Sequence, residues 1–239
     1  MYSKNNNRFI FNVFGTLIAI MTSTTAIAQG APSSCGELRS HGQFGPFDYR
    51  SAKNQLPIVE GYHFTPAVEA LIRGSTNTLP GSDLDYTLRA FPNHHKALIA
   101  MVGYGEKMKS SKPSGLNYPI ECYFERALRF QPDDTIVRML YARFLAKLAR
   151  SQEAKNQLER ATTLAGDNAF SQYNIGLIYF DFKEYDKALA QAHKAIALGF
   201  MQPALREQLQ AVGKWIAPSS VPPDNANQTV NDAVPTVSK

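Results

Sequence analysis

The sequence predicts an all-α protein assembled from repeated helix pairs, and three observations carry that prediction. First, one phrase recurs: "TLRAFPNH" (87–94), "ALRFQPDD" (127–134), "ATTLAGDN" (161–168) and "AIALGFMQ" (195–202). The last three begin 34 residues apart, at Ala127, Ala161 and Ala195. Second, small residues inside the blocks recur at helical spacing. Ala188, Ala192 and Ala195 fall at i, i+4 and i+7, and Ala154, Leu158 and Ala161 match them one block earlier. Small side chains on such a stripe let two antiparallel helices approach closely. Third, the preceding block keeps the second helix of the pattern, with Ile120, Phe124 and Ala127 on one stripe and Pro132 to end it.

Each block therefore reads as helix, turn, helix. In 169–202, Tyr173, Gly176 and Tyr179 lie on a first helix, Tyr185 sits at the turn, and the alanine stripe forms a second helix. In 135–168 the matching positions are Ala142, Leu145, Ala154, Leu158 and Ala161. In 93–134 the turn is lengthened by "SSKPSGLNYP" (110–119).

This pattern resembles the tetratricopeptide repeat (TPR). The resemblance rests on the 34-residue period, on Gly176 with Tyr179, on Ala188 with Ala195, on the matching Ala154 and Ala161, and on Ala127 with the terminal Pro132. It covers 93–202 as three repeats: 93–134, 135–168 and 169–202. The tryptophan usual in the first helix is replaced by Arg138 and Gln172. The resemblance implies a right-handed superhelix of antiparallel helix pairs with a concave face, lined by positions 2, 5, 9 and 12 of each first helix. Those are Phe170, Tyr173, Leu177 and Phe180 in the last repeat, and Ile136, Met139, Arg143 and Ala146 in the middle one.

A repeat stack needs caps, because no unit buries its own faces. "PALREQLQAVGKWI" (203–216) fits one: Leu205, Leu209, Val212 and Ile216 make an apolar stripe, with Pro203 at the helix start and Trp215 as packing. At the other end, 29–92 reads as an amino-terminal segment with short helices, a candidate degenerate repeat. "FTPAVEALIRG" predicts a helix capped at Thr65 and stopped at Gly74, and "SDLDYTLRAFP" predicts another capped near Ser82. "GQFGPFDYR" (42–50) reads as an irregular aromatic segment laid against the helices.

Residues 1–28 read as a secretory signal peptide. Lys4 and Arg8 precede the apolar run 9–20, and Ala26-Ile27-Ala28 provides a small-residue cleavage site. The run is shorter than the ~20 residues a spanning helix needs. The expectation is export to the periplasm, with cleavage after Ala28 and no membrane span afterwards. Residues 218–239 carry four prolines and no aromatic residue, and read as a disordered tail. Loss of the leader leaves 23 basic against 20 acidic residues, a net charge of +3, scattered without a stripe. That is too mild to argue for nucleic acid, and no nucleic-acid partner is expected. Cys35 and Cys122 face an oxidising compartment after export, so a disulfide is expected. Helical geometry points Cys122 about 200° away from Ile120 and Phe124, toward a partner outside the repeat.

Chemistry-bearing residues are sparse. Glu60 and His63 have ligand-like spacing, but Gly61 argues against a helix there. His94 and His95 are adjacent and so face different sides of a helix. Asp83 and Asp85 sit where first-turn acids complement the helix dipole. There is no phosphate loop, GxSxG or HExxH motif. No cofactor or metal is expected.

The expected function is a non-catalytic scaffold or adaptor that holds a partner protein or peptide in the cell envelope. Its candidate contact residues are Phe170, Tyr173, Leu177, Phe180, Met139, Arg143 and Lys147. One alternative is a cell-envelope hydrolase or metal-dependent enzyme built around Glu60, His63, His94 and His95. Another is a structural subunit whose groove is filled by its own amino-terminal segment.

Overall fold

A computed structural model describes residues 35–39, 42–76 and 79–218. The expected signal peptide, most of the expected tail, and His41 lie outside the described residues. Among the described residues there are ten α-helices and no strand. They are α1 Leu56–His63, α2 Pro66–Glu69, α3 Gly81–Ala90, α4 His95–Met108, α5 Ile120–Phe130, α6 Thr135–Lys147, α7 Ser151–Ala165, α8 Ala169–Asp181, α9 Tyr185–Ala197 and α10 Ala204–Ala211. No described helix is long and apolar enough to cross a membrane.

The two 34-residue blocks each fold as one helix pair. α6 lies along α7 and α8 along α9, each pair joined by three residues, so the partners run antiparallel. Ala154, Ala161, Ala188 and Ala195 are all buried along these seams. Gly176 is buried too, and a Cβ there would stand 2.5 Å from Leu205 Cδ2 and 3.2 Å from Gln191 Cβ. The helices therefore meet at a distance only small residues permit. Met139, Ala142, Leu158, Ala161, Ile175, Tyr179, Ala188, Leu205 and Leu209 merge into one core running from α6 to α10.

Polar positions repeat as well. Asp134 caps α6 by accepting from Ile136 and Val137 N–H (both 3.1 Å), and Asn168 caps α8 by accepting from Ser171 N–H (2.8 Å). The two caps stand 34 residues apart. At the fourth position of each helix, Arg138 donates to the Pro132 carbonyl (3.1 and 2.6 Å) and Gln172 to the Gly166 carbonyl (2.5 Å). Both reach six residues back, tying the helix start to the preceding turn. These polar links stand where the tryptophan of the resemblance is missing.

The 93–134 block differs. An eleven-residue connection joins α4 to α5, and α4 contacts α5 over a shorter stretch than the later pairs. Asp85 of α3 anchors that connection. It accepts from Asn117 N (3.2 Å), Asn117 Nδ2 (2.8 Å), Arg89 Nε (2.8 Å) and the Tyr123 hydroxyl. Burial, and then the Asp85 charge, push the Tyr123 phenol far above its ordinary range, so it stays a donor. Asp85 therefore does more than complement a dipole.

Four local expectations are corrected. Residues 56–63 form a helix despite Gly61, because Leu56 and Val59 pack onto Ala90 and Phe91, and Pro57 presets the first turn. That packing outweighs the roughly 1 kcal/mol that a helical glycine costs. The helix after Thr65 stops at Glu69 rather than near Gly74: Leu71 is left-handed (φ 58°) and its carbonyl accepts from Lys107 Nζ (2.7 Å). Thr65 stands at the N-cap position as expected, without a side-chain cap bond, but α3 begins at Gly81 behind Pro80, one residue before Ser82. Gly81 is required there, since a Cβ would lie 2.1 Å from the Ser114 carbonyl oxygen. α10 ends at Ala211, so Leu205 and Leu209 are buried while Val212 and Ile216 are exposed.

The amino-terminal segment lies against α1, α3 and α5. Phe44, Phe47 and Tyr49 join Leu56, Val59, Ala90 and Phe91 in a separate core. Phe47 N–H donates to the Ala90 carbonyl (2.8 Å), and Gln43 donates to the Arg89 carbonyl (2.8 Å). Cys35 and Cys122 are bonded, with Cα atoms 5.0 Å apart. Beside the bond, buried Arg126 donates to the carbonyls of Cys35 (3.0 Å) and Glu37 (2.7 Å). Cys122 thus faces away from the Ile120–Phe124 stripe, as the helical geometry requires. Closing a loop across a sequence separation of 87 restricts the unfolded chain. Replacing both cysteines with alanine should lower the unfolding free energy by about 2–5 kcal/mol, measured by urea titration of the two forms.

Candidate binding face

α4, α6 and α8 lie side by side in chain order. Their neighbouring edges are joined by two exposed ion pairs, Glu106 with Lys147 between α4 and α6, and Arg143 with Asp181 (3.4 Å) between α6 and α8. Exposed pairs of this kind contribute about 0–1 kcal/mol each, so they fix geometry more than stability. Arg143 and Lys147 are thus engaged across the helix row through these ion pairs.

α8 presents the aromatic residues. Asn168 caps it, and its buried stripe is Gln172, Ile175, Gly176, Ile178 and Tyr179. Apolar residues nevertheless continue around to the other side. Phe170 is 54% exposed, while Tyr173, Leu177 and Phe180 are half-buried. Phe200, from the turn after α9, packs against Tyr173 (5.1 Å between ring centres) and edge-on to Phe170 (5.9 Å). Phe180 packs on Tyr185 at the α8–α9 turn (5.3 Å). Phe200 carries no periodic signal in the sequence; the ring contacts reveal it.

Met139 is corrected. It is 5% exposed and belongs to the core between α6 and α8, so it offers no contact surface. The four α8 residues, Arg143 and Lys147 remain at or near the surface.

The histidines and Glu60 form separate pairs. His63 Nδ1 meets Asp83 Oδ1 (2.9 Å), His94 Nε2 meets Glu60 Oε1 (3.1 Å), and His95 Nε2 meets Asp134 (3.0 Å). Among the described residues, no group of three or more His, Cys, Asp or Glu is placed to share a metal ion. Glu60 and His94 come together as the enzyme alternative requires, but His63 and His95 turn to other carboxylates. No local pattern marks Asp134 as the partner of His95, because the two lie 39 residues apart.

His94 acts as a helix cap. It is fully buried, and its Nδ1 accepts from Ala97 N–H (3.2 Å). Nδ1 therefore carries no proton, and Nε2–H donates to Glu60. Around it, Asn93 donates to Asp48 (2.7 Å) and Asp134 (2.8 Å), and Arg50 binds Asp48 (3.0 Å) and Asp133 (3.1 Å). This network holds the amino-terminal segment onto the turns before α4 and α6. Although burial opposes it, the hydrogen bonds from Arg50 and Asn93 bring the Asp48 carboxyl down to about 2.

Comparison of the chain with known protein families and with curated proteins gives no match.

Burial, and secondarily the neighbouring His95, push the His94 imidazole from 6.5 down to about 3. In the unfolded chain this group gains its proton as pH falls through 6.5; in the folded chain it stays neutral to about 3. Its contribution is therefore complete above pH 6.5 and is lost as pH falls toward 3. Urea midpoints should decline between about pH 6.5 and about pH 3, and His94→Asn, which keeps a cap acceptor, should flatten that decline.

Proposed function

We propose that the protein is a non-catalytic adaptor of the TPR type, with stacked pairs forming a right-handed superhelix. It acts in the periplasm and holds a partner protein or peptide on the face made by α4, α6 and α8. The observation that carries this reading is α8 itself. A helix at a protein surface ordinarily keeps one polar side. α8 instead places Phe170 in solvent beside half-buried Tyr173, Leu177 and Phe180. Exposed aromatic residues clustered on one face are characteristic of interaction sites.

The repeat assignment draws support from the caps at Asp134 and Asn168 and from the equivalent turn bonds of Arg138 and Gln172. Export draws support from the disulfide, which persists in oxidising compartments. An open face, rather than a self-filled one, fits the placement of 42–50. The contacts of that segment are to α1, α3 and the turns at 91–94 and 131–134.

In-cell crosslinking of the intact protein should retrieve a defined partner. Phe170→Ala should reduce that capture about tenfold, as expected when an aromatic anchor is truncated. Thermal melting should be unchanged, because Phe170 is outside the core. Undiminished capture by Phe170→Ala would count against the face.

A further inference from the structure

A fully buried titratable group lies beneath the amino-terminal segment. His94 has no exposed surface. The Tyr49 ring of the aromatic segment packs over it (4.2 Å between ring centres), Phe64 meets it edge-on (4.8 Å) from the end of α1, and Phe91 meets it edge-on at 6.4 Å. Both ring nitrogens are committed. Nδ1 accepts from Ala97 N–H, and Nε2–H donates to Glu60 of α1. A second proton would have to bind Nδ1, where it would point at the Ala97 N–H, a donor facing a donor.

The surrounding charges do not favour that proton either. Glu60 is the acid bonded to the ring, whereas His95 and Lys96 of α4, and Lys53 from the turn before α1, oppose a charge on it. The other acids nearby are taken. Asp134, in the turn before α6, binds His95 (3.0 Å), Asp48 binds Arg50 (3.0 Å) and Asn93 (2.7 Å), and Asp133 binds Arg50 (3.1 Å). Asp83 of α3 is held by His63 of α1 (2.9 Å). The native site therefore fits a neutral imidazole, and a protonated one has to leave it.

Of the groups that cover the ring, the aromatic segment is the least embedded. Phe64 is buried in the core shared by α3 to α6, whereas residues 43–49 are half-buried and Arg50 is exposed. Phe44, Phe47 and Tyr49 belong to the smaller core around Phe91. The segment is fastened to the turn after α3 by Phe47 N–H on the Ala90 carbonyl (2.8 Å) and by Tyr49 N–H on Asn93 Oδ1 (3.0 Å).

We propose that His94 is a proton-operated latch for this segment. Protonation drives the imidazole out, residues 42–50 lift off, and the apolar surface of Val59, Ala90 and Phe91 is uncovered. The Cys35–Cys122 bond keeps the released segment tethered to α5. The latch uses residues other than the α8 aromatics, so it stands or falls separately from the adaptor reading.

In the released state the ring returns to its ordinary value of 6.5, whereas burial holds it at about 3 in the latched state. Falling pH therefore favours release, by about 100-fold between about pH 7 and about pH 4. Amide hydrogen exchange on the full chain, expressed as protection factors at the two pH values, tests this. Protection at Phe47 and Tyr49 should fall by about 100-fold. At the lower pH these amides should still open more easily than Leu158 in α7 and Ala192 in α9, and should barely respond to about 1 M urea, because a local opening exposes little surface. In His94→Asn, which keeps a cap acceptor but takes no proton, the fall should shrink to less than about fivefold. A fall of less than about tenfold in the parent protein would overturn the proposal. So would Phe47 and Tyr49 opening with the same free energy and urea slope as Leu158 and Ala192, or an undiminished fall in His94→Asn. The urea-slope comparison in the parent protein decides the matter even if the variant fails to fold.

Discussion

How closely the two helices of a pair approach governs the rest of this structure. Ala154 and Ala161 on α7, and Ala188 and Ala195 on α9, are fully or almost fully buried, and Gly176 on α8 leaves no room for a methyl group. With larger residues the helices would separate, and the apolar faces they share with the next pair would no longer meet. The close seam positions Leu158, Ile175 and Tyr179 in one core, and α10 closes that core with Leu205 and Leu209. Full burial of each large apolar side chain contributes about 1.5–3 kcal/mol, so the stack gains most from neighbours that the seam brings into reach. The face of α4, α6 and α8 is a product of the same arrangement, because it is the side of the first helices left uncovered by their partners.

The amino-terminal half is held by different means. Its helices are short, and α1, α3 and the aromatic segment share a small core around Phe91. Polar links add order: the Cys35–Cys122 bond, the Arg126 bonds to Cys35 and Glu37, and the Asp48–Asn93–Asp134 chain. Asp134 joins the two halves. It caps α6, binds His95 of α4, and accepts from Asn93. Although burial opposes it, the hydrogen bonds from His95 and Asn93 bring its carboxyl below the ordinary range. A single residue in the turn before α6 therefore serves the cap, the helix row and the amino-terminal segment together.

The regular part was legible because its signals are local and periodic. Alanines at i, i+4 and i+7, and a phrase repeated every 34 residues, encode a helix pair without reference to the rest of the chain. The disulfide was legible on other grounds, since an expected export to an oxidising compartment calls for pairing the two cysteines, and helix geometry adds that Cys122 turns away from its stripe. What escaped depends on distant contacts. Gly61 sits inside a helix because Val59 meets Phe91, more than thirty residues away. Met139 matched a surface position by register, yet it is buried against the neighbouring pair. Phe200 joins the α8 face from a turn, where no periodicity marks it. The path of the irregular connection between α4 and α5 is set by Asp85 and Asn117, which lie 32 residues apart. Sequence periodicity therefore located the scaffold, while its surface was set by side chains meeting across the fold.

Native-state hydrogen exchange on Ala161→Leu tests the stacking most directly. Ala161 is fully buried in the core shared by α6, α7 and α8, so an added side chain there acts on both seams at once. Overpacking of this kind costs about 1–3 kcal/mol. If the pairs stack as one cooperative unit, amide protection should fall by a similar factor in α6, α7 and α8 together. Loss confined to α7, with α8 protected as in the parent protein, would contradict the account.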